Sequence, residues 1–228
     1  MEIKPLPKLS RDYVEQLLAG IPFFKLVKQQ DSWQFELLLQ SSRVVSYLPG
    51  EVVVQRGSTD KWLYFLLKGR LAVYVDDPLK GELVNYVTPG EVFGDLSQLM
   101  GQPRTATVLA EPTYRESIVL ATDSEIFGDI NSTRPISVQT KLAYYRNTVH
   151  NLRWKLEVYR SQHLHHDLAN KHRQIKLYSG AKETVEELRA LYEQAQALAR
   201  LLLEWNREFG ALSLESGSPH ENASNLPQ

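Results

Sequence analysis

Phe93-Gly94-Asp95-Leu96-Ser97, followed by Pro103-Arg104-Thr105-Ala106-Thr107-Val108, decides how this 228-residue chain is read. Gly94 lets main chain approach a ligand closely. Residues 95–99 can form one helical turn whose first amides lack internal partners and can face an anion. Arg104 offers a planar fork that suits a phosphate, and Thr105 adds a hydroxyl donor. Asp95 adds a carboxylate. A carboxylate beside a phosphate site makes sense only if the ligand also carries a hydroxyl that can donate to it, as a phosphate fused to a ribose does. Arg104 is the only cation between Phe93 and Val108.

Outward from this stretch, the zone from about Arg43 to Ala121 is rich in valine, tyrosine and glycine. Its apolar runs recur at the spacing of short strands in a barrel or sandwich. Candidate strands are Val52 to Gln55, Trp62 to Leu67, Leu71 to Val75, Leu83 to Val87, Thr105 to Leu109 and Ser117 to Leu120. Leu48-Pro49-Gly50-Glu51-Val52 is echoed by Thr88-Pro89-Gly90-Glu91-Val92. Each Pro-Gly pair signals a turn into a strand. Two copies within one β zone favour a jelly roll over coincidence.

With these residues in view, the sequence resembles the cyclic-nucleotide-binding domain family. That family includes the catabolite activator protein and the regulatory subunit of the cyclic-nucleotide-dependent protein kinase. The matching residues are Phe93, Gly94, Leu96, Ser97, Pro103, Arg104, Thr105, Ala106, Thr107 and Val108. Gly50-Glu51, Gly57, the run Leu63-Tyr64-Phe65-Leu66 and Gly69 match an earlier signature. The resemblance implies an α+β fold: an antiparallel jelly roll with N-terminal helices, then a long dimerisation helix and a C-terminal helical hairpin. It also implies cAMP or cGMP as regulatory ligand. Arg104 would pair with the cyclic phosphate beside Thr105 and Ala106. The amides of Leu96 and Ser97 would complete the cradle formed with Phe93 and Gly94, and Asp95 would hold the ribose 2′-hydroxyl.

Two residues depart from the family pattern. Asp95 replaces a glutamate and is about 1.5 Å shorter in reach. Gln98 stands where an apolar residue is usual. The alternative is a fold that no longer binds nucleotide, with Arg104 paired internally to Asp95.

Helical spacing flanks the β zone on both sides. Residues 10–40 read as two short helices broken at Pro22. From about Ser137 to Phe209 the pattern reads as two long helices joined near Ser179–Gly180. Leu142, Tyr145, Val149, Leu152, Leu156, Tyr159, His163 and His166 form a three-four seam, which points to a parallel homodimer. By position, Leu152, Arg153 and Trp154 lie where family members cover the purine; alternatively they only pack the barrel. His163 and His166 are either a pH or metal site at the dimer seam or its solvated end. Eight Lys/Arg against two acidic residues over 141–176 make a basic arm, for nucleic acid, an acidic partner or simply for solvent. Val185, Leu188, Tyr192, Ala195, Ala199 and Leu202, widened by Leu191, Leu198, Leu201, Leu203 and Trp205, need a covering partner.

Composition excludes several classes. There is no cysteine, hence no disulfide, thiolate metal site or cysteine nucleophile. With 26 basic and 27 acidic residues the net charge is −1, so no global bias favours nucleic acid. No apolar run reaches a membrane span, and Met1 to Ser10 lacks a secretory core, so a soluble cytoplasmic protein is expected. No nucleophile–base or phosphate-loop motif points to an enzyme. The expected division is 1–135 for the nucleotide domain, 136–210 for a helical dimerisation and output region, and 211–228 for a disordered tail. The expected function is a non-enzymatic sensor, with a protein partner at the C-terminal helices possible. A transcription regulator is one alternative, although Lys182 to Arg189 only faintly resembles a recognition helix and no β-wing follows. A nucleotide-blind dimeric scaffold is the other.

Overall fold

The computed structural model describes residues 1–6, 9–75 and 83–216. Strand β1 (Glu2–Pro5) is followed by three short helices, α1 (Arg11–Leu18), α2 (Pro22–Gln30) and α3 (Ser32–Gln40). Pro22 opens α2, as its fixed φ allows. A second break, not expected from the sequence, falls at Asp31, whose carboxylate accepts from the amides of Trp33 and Gln34 to start α3. These helices bury Val14, Leu18, Phe23, Phe24, Phe35 and Leu38 against one face of the β structure.

The remaining strands are β2 (Ser42–Tyr47), β3 (Val52–Val54), β4 (Trp62–Lys68), β5 (Leu71–Tyr74), β6 (Leu83–Val87), β7 (Val92–Phe93), β8 (Thr107–Ala110) and β9 (Ser117–Asp123). They form two antiparallel sheets, ordered β1-β2-β9-β4-β7 and β3-β8-β5-β6. Val45, Val54, Leu66, Leu71, Val87, Phe93 and Val119 pack between them. This is the expected jelly roll.

The repeated turn explains part of its closure. Glu51 accepts from the amide of Leu48 at 2.8 Å, and Glu91 accepts from the amide of Thr88 at 2.6 Å and its hydroxyl at 3.0 Å. The amide of Gly50 then binds the Ala110 carbonyl, and that of Gly90 binds the Leu66 carbonyl, each at 2.8 Å. The two copies therefore do the same work on opposite sheets: a carboxylate-locked Pro-Gly turn delivers the next strand.

Helix α4 (Asp95–Met100) follows β7, and α5 (Val138–Gln162) follows β9 and a 3-10 turn at Ser124–Phe127. Helix α6 spans Val185–Ser216. The helical half departs from expectation. The first long helix stops at Gln162 instead of running to the Ser179–Gly180 region. Nor do α5 and α6 form a hairpin. Arg146 meets Glu187, Tyr145 meets Tyr192 and Tyr159 meets Asn206, so the two helices run parallel. Residues 163–184 must therefore return along α5, about 20 Å between the levels of Arg146 and Tyr159.

The basic arm holds this return segment and the neighbouring loops. Arg153 donates to the carbonyls of His172 and Ile175, each at 3.1 Å. Glu157 accepts from His172 and Arg173. Lys141, 1% exposed, donates to the Asp129 and Ser132 carbonyls. Burial lowers the ammonium pKa of Lys141, with Asp129 opposing. Lys141, Arg146, Arg153 and Lys155 are thus turned to the fold itself, while Lys171, Arg173 and Lys176 remain exposed.

The seam of Leu142, Val149, Leu152, Leu156 and Tyr159 is covered by Leu188, Ala195, Leu198, Ala199, Leu202 and Trp205 of the same chain. The two apolar faces that each required a partner satisfy one another, and the seam is not free for a second copy. His163 and His166 do not continue it. Both lie against Trp205, with ring centroids at 5.8 and 4.5 Å. Among the described residues no group of His, Asp and Glu is arranged to hold a metal. Lys182 to Arg189 leads into α6 rather than forming a recognition helix. Leu188 sits in the core and Glu187 is tied to Arg146. The helix also continues through Ser216, beyond the expected start of the tail; residues 217–228 lie outside the described residues.

Candidate functional site

β7 and α4 meet at Gly94, whose φ is 82°. A Cβ there would lie 2.7 Å from Arg104 Nη1 and 3.1 Å from the Trp62 carbonyl. The position therefore excludes any side chain on both conformational and steric grounds.

Arg104 is the hub of the site and is 4% exposed. Its Nε donates to Asp60 Oδ2 at 3.2 Å and Nη2 donates to Asp60 Oδ1 and the Trp62 carbonyl. Nη1 donates to the Gly94 carbonyl and to Ser97 Oγ, the latter at 2.8 Å. The guanidinium has five N–H donors, and the fork is thus fully engaged within the protein. Burial raises the Asp60 carboxyl, but the hydrogen bonds and charge of Arg104 outweigh this and hold it below its usual value. Gln98 reaches the Asp60 carbonyl at 3.5 Å, which gives the departure from an apolar residue a local role. The internal partner of Arg104 is therefore Asp60, not Asp95. Asp60 lies in the loop between β3 and β4, remote in sequence from the cassette.

Asp95 is 1% exposed, and its Oδ2 has no hydrogen-bond partner among the described residues. A buried carboxylate oxygen without a donor is costly and usually marks a missing partner. Asp95 lines a cavity of about 90 Å³ together with Phe93, Gly94, Leu96, Ser97, Arg104, Thr105 and Ala106. The structure thus brings together eight of the nine residues expected at the site.

The ninth, Arg153, points to the return segment instead, while Leu152 is buried under α6 and Trp154 is 62% exposed. The cover comes from further along α5 than expected. The residues of α5 that reach the cavity are Lys155 and Tyr159, one turn apart. Those of α6 are Leu202 and Asn206, also one turn apart. Tyr159 Oη lies 3.4 Å from Asn206 Oδ1, and burial raises the phenol pKa. Asn85 of β6 completes the polar lining. A helix face that repeats every three to four residues carries the signal for Lys155 and Tyr159 once the register is known. Nothing local marks Leu202 or Asn206, because their placement depends on the parallel packing of α6.

Residues 44–133 match the sequence model described as "Cyclic nucleotide-binding domain". A cGMP-dependent protein kinase of Eimeria tenella is 33% identical over 112 residues, which are 48% of this chain and 10% of the kinase. The cAMP-dependent protein kinase type II regulatory subunit of Drosophila melanogaster is 27% identical over 101 residues, covering 44% of this chain and 26% of the subunit. The chain spans about a tenth of the length of the cGMP-dependent kinases it matches. Among solved structures, "cAMP bound PfPKA-R (141-441)" superposes with a TM-score of 0.48 at 22% identity, over 67% of this chain and 48% of that one. A putative cyclic nucleotide binding protein from Ruegeria pomeroyi superposes with a TM-score of 0.47 at 20% identity, over 63% of each chain.

Proposed function

We propose that the chain is a non-enzymatic sensor that binds a 3′,5′-cyclic nucleotide, cAMP or cGMP, in the cavity between the cassette and the two long helices. The observation that carries this reading is the buried, unpartnered Oδ2 of Asp95 in a cavity that also contains Arg104. An oxygen without a donor suits a ribose 2′-hydroxyl, and a cation across the same cavity suits the cyclic phosphate. Thr105 and the amides of Leu96 and Ser97 complete the set of donors. Names of relatives that include cGMP- and cAMP-dependent kinases support the ligand class.

The small size of the cavity supports a coupling mechanism. Ligand pockets usually measure about 300–1,000 Å³, so a cavity of about 90 Å³ must enlarge before a nucleotide enters. Leu202 and Asn206 stand in the way, and both belong to α6. Nucleotide binding therefore favours a state in which α6 has shifted, and that shift is the output. The helix that was expected to act through a dimer acts here within one chain. A protein partner that binds the released face of α6, and a cytoplasmic location, belong to the same reading.

One observation favours a nucleotide-blind scaffold instead: all the donors of Arg104 are already used. Calorimetric titration of the full chain with cAMP and cGMP separates the two. The sensor reading predicts saturable binding of at least one, weakened by Asp95→Ala for the ribonucleotide but not for its 2′-deoxy analogue. Absence of binding at millimolar nucleotide leaves the scaffold.

A further inference from the structure

We propose that Lys155 of α5, a residue outside the cassette, makes the first cationic contact with the phosphate of the incoming ligand. This rests on the reading of the cavity as a cyclic-nucleotide site. The lining of the cavity contains two cations, Arg104 and Lys155. Arg104 has no donor to spare without breaking a bond to Asp60, Trp62, Gly94 or Ser97. Lys155 differs in every respect. It is half-buried, and its one hydrogen bond among the described residues runs to the Val92 carbonyl at 3.3 Å, beyond the usual range for N–H···O. It pairs with no carboxylate there.

Its position favours the phosphate over the base. Val92 lies two residues before Gly94, whose carbonyl is bound by Arg104 Nη1. The two cations thus donate to carbonyls two residues apart, on the same stretch of main chain. Tyr159, one turn along α5, donates to Asn206 of α6 and, unlike Lys155, carries no cation. The ammonium is a compact charge on a flexible stem, so it can leave one long bond to a carbonyl at little cost and turn to an anion. Arg104 exchanges its bonds to Gly94 and Ser97 for the phosphate only afterwards.

The test uses the full chain and whichever of cAMP or cGMP binds it. Lys155→Met keeps the apolar stem and removes the charge, and Lys155→Arg keeps the charge. Loss of one charge-assisted hydrogen bond predicts a Kd raised about 10- to 100-fold for Lys155→Met. Lys155→Arg should recover most of that loss. The ³¹P resonance of the bound nucleotide should move in Lys155→Met relative to wild type, which a purely packing role would not cause. Wild-type affinity in Lys155→Met, or weaker binding with the ³¹P resonance unmoved, overturns the proposal while leaving the site intact. Failure of wild type to bind either nucleotide overturns this proposal and the sensor reading together.

Discussion

Arg104, the proposed phosphate ligand, also holds the ligand-free structure together, and the protein without nucleotide can test this. In Arg104→Ala, Asp60, the carbonyls of Trp62 and Gly94, and Ser97 Oγ all lose a donor. Removing one partner of a buried ion pair costs about 3–5 kcal/mol. The Arg104 side chain is 3% exposed but that of Asp60 is 30% exposed. Water can therefore solvate the abandoned carboxylate, which brings the expected loss down to about 2–3 kcal/mol. For a chain of this size each kcal/mol shifts Tm by about 2–4 °C, so the melting point should fall by about 5–10 °C. Arg104→Lys keeps a charge but offers three donors rather than a five-donor fork, and it should fall between the two. Differential scanning calorimetry without nucleotide measures both. If Arg104→Ala melts within a degree of wild type, the bonds to Asp60 and the cassette do not hold the apo state together.

Three further outcomes follow from the packing and charges. Leu202→Ala should destabilise the chain by about 2–5 kcal/mol, as for other core leucines, yet bind nucleotide more tightly, because less side chain must leave the cavity; parallel loss of stability and affinity would refute α6 as the obstacle. Leu152→Asp places a charge at a fully buried position facing α6, so it should unfold the helical half, seen as lost near-ultraviolet dichroism, rather than produce a folded monomer from a dimer. The Glu157 carboxyl is held at about 2, first by the hydrogen bond from His172 and then by Arg173. A depressed carboxyl stabilises fully above its ordinary value of about 4.3, and that stability is lost as pH falls from there towards the folded value. Pepsin should therefore cut residues 163–184 faster as pH falls through this window, and in Glu157→Gln the rate of cutting should lose that dependence.

Much of the β half could be read from the sequence because its signals are local. The Pro-Gly-Glu turns carry their own lock, since each glutamate closes on the residue three before it. The cassette likewise lies within sixteen residues of chain, and eight of its expected site residues meet in one cavity. What could not be read depends on contacts far apart in the chain. Asp60 lies 44 residues before Arg104, in a loop with no pattern that predicts an ion pair. The apolar stripe on α5 was real, but periodicity reports that a face is buried and not what buries it. A second copy and α6 satisfy the same spacing. The choice was made by the break after Gln162 and by the return of residues 163–184, which lets α6 lie parallel to α5. No glycine or proline marks that break. The same register decides that Lys155 and Tyr159, not Leu152 to Trp154, face the cavity.

The central claim is that a cyclic nucleotide occupies the cavity lined by Asp95 and Arg104 and displaces α6 in doing so. Hydrogen exchange of the full chain, with and without saturating cAMP or cGMP, tests both parts at once. The account predicts that amides of residues 93–106 become protected while those around Leu202 and Asn206 change their exchange in the same titration. Unchanged exchange at both places at millimolar nucleotide would contradict it.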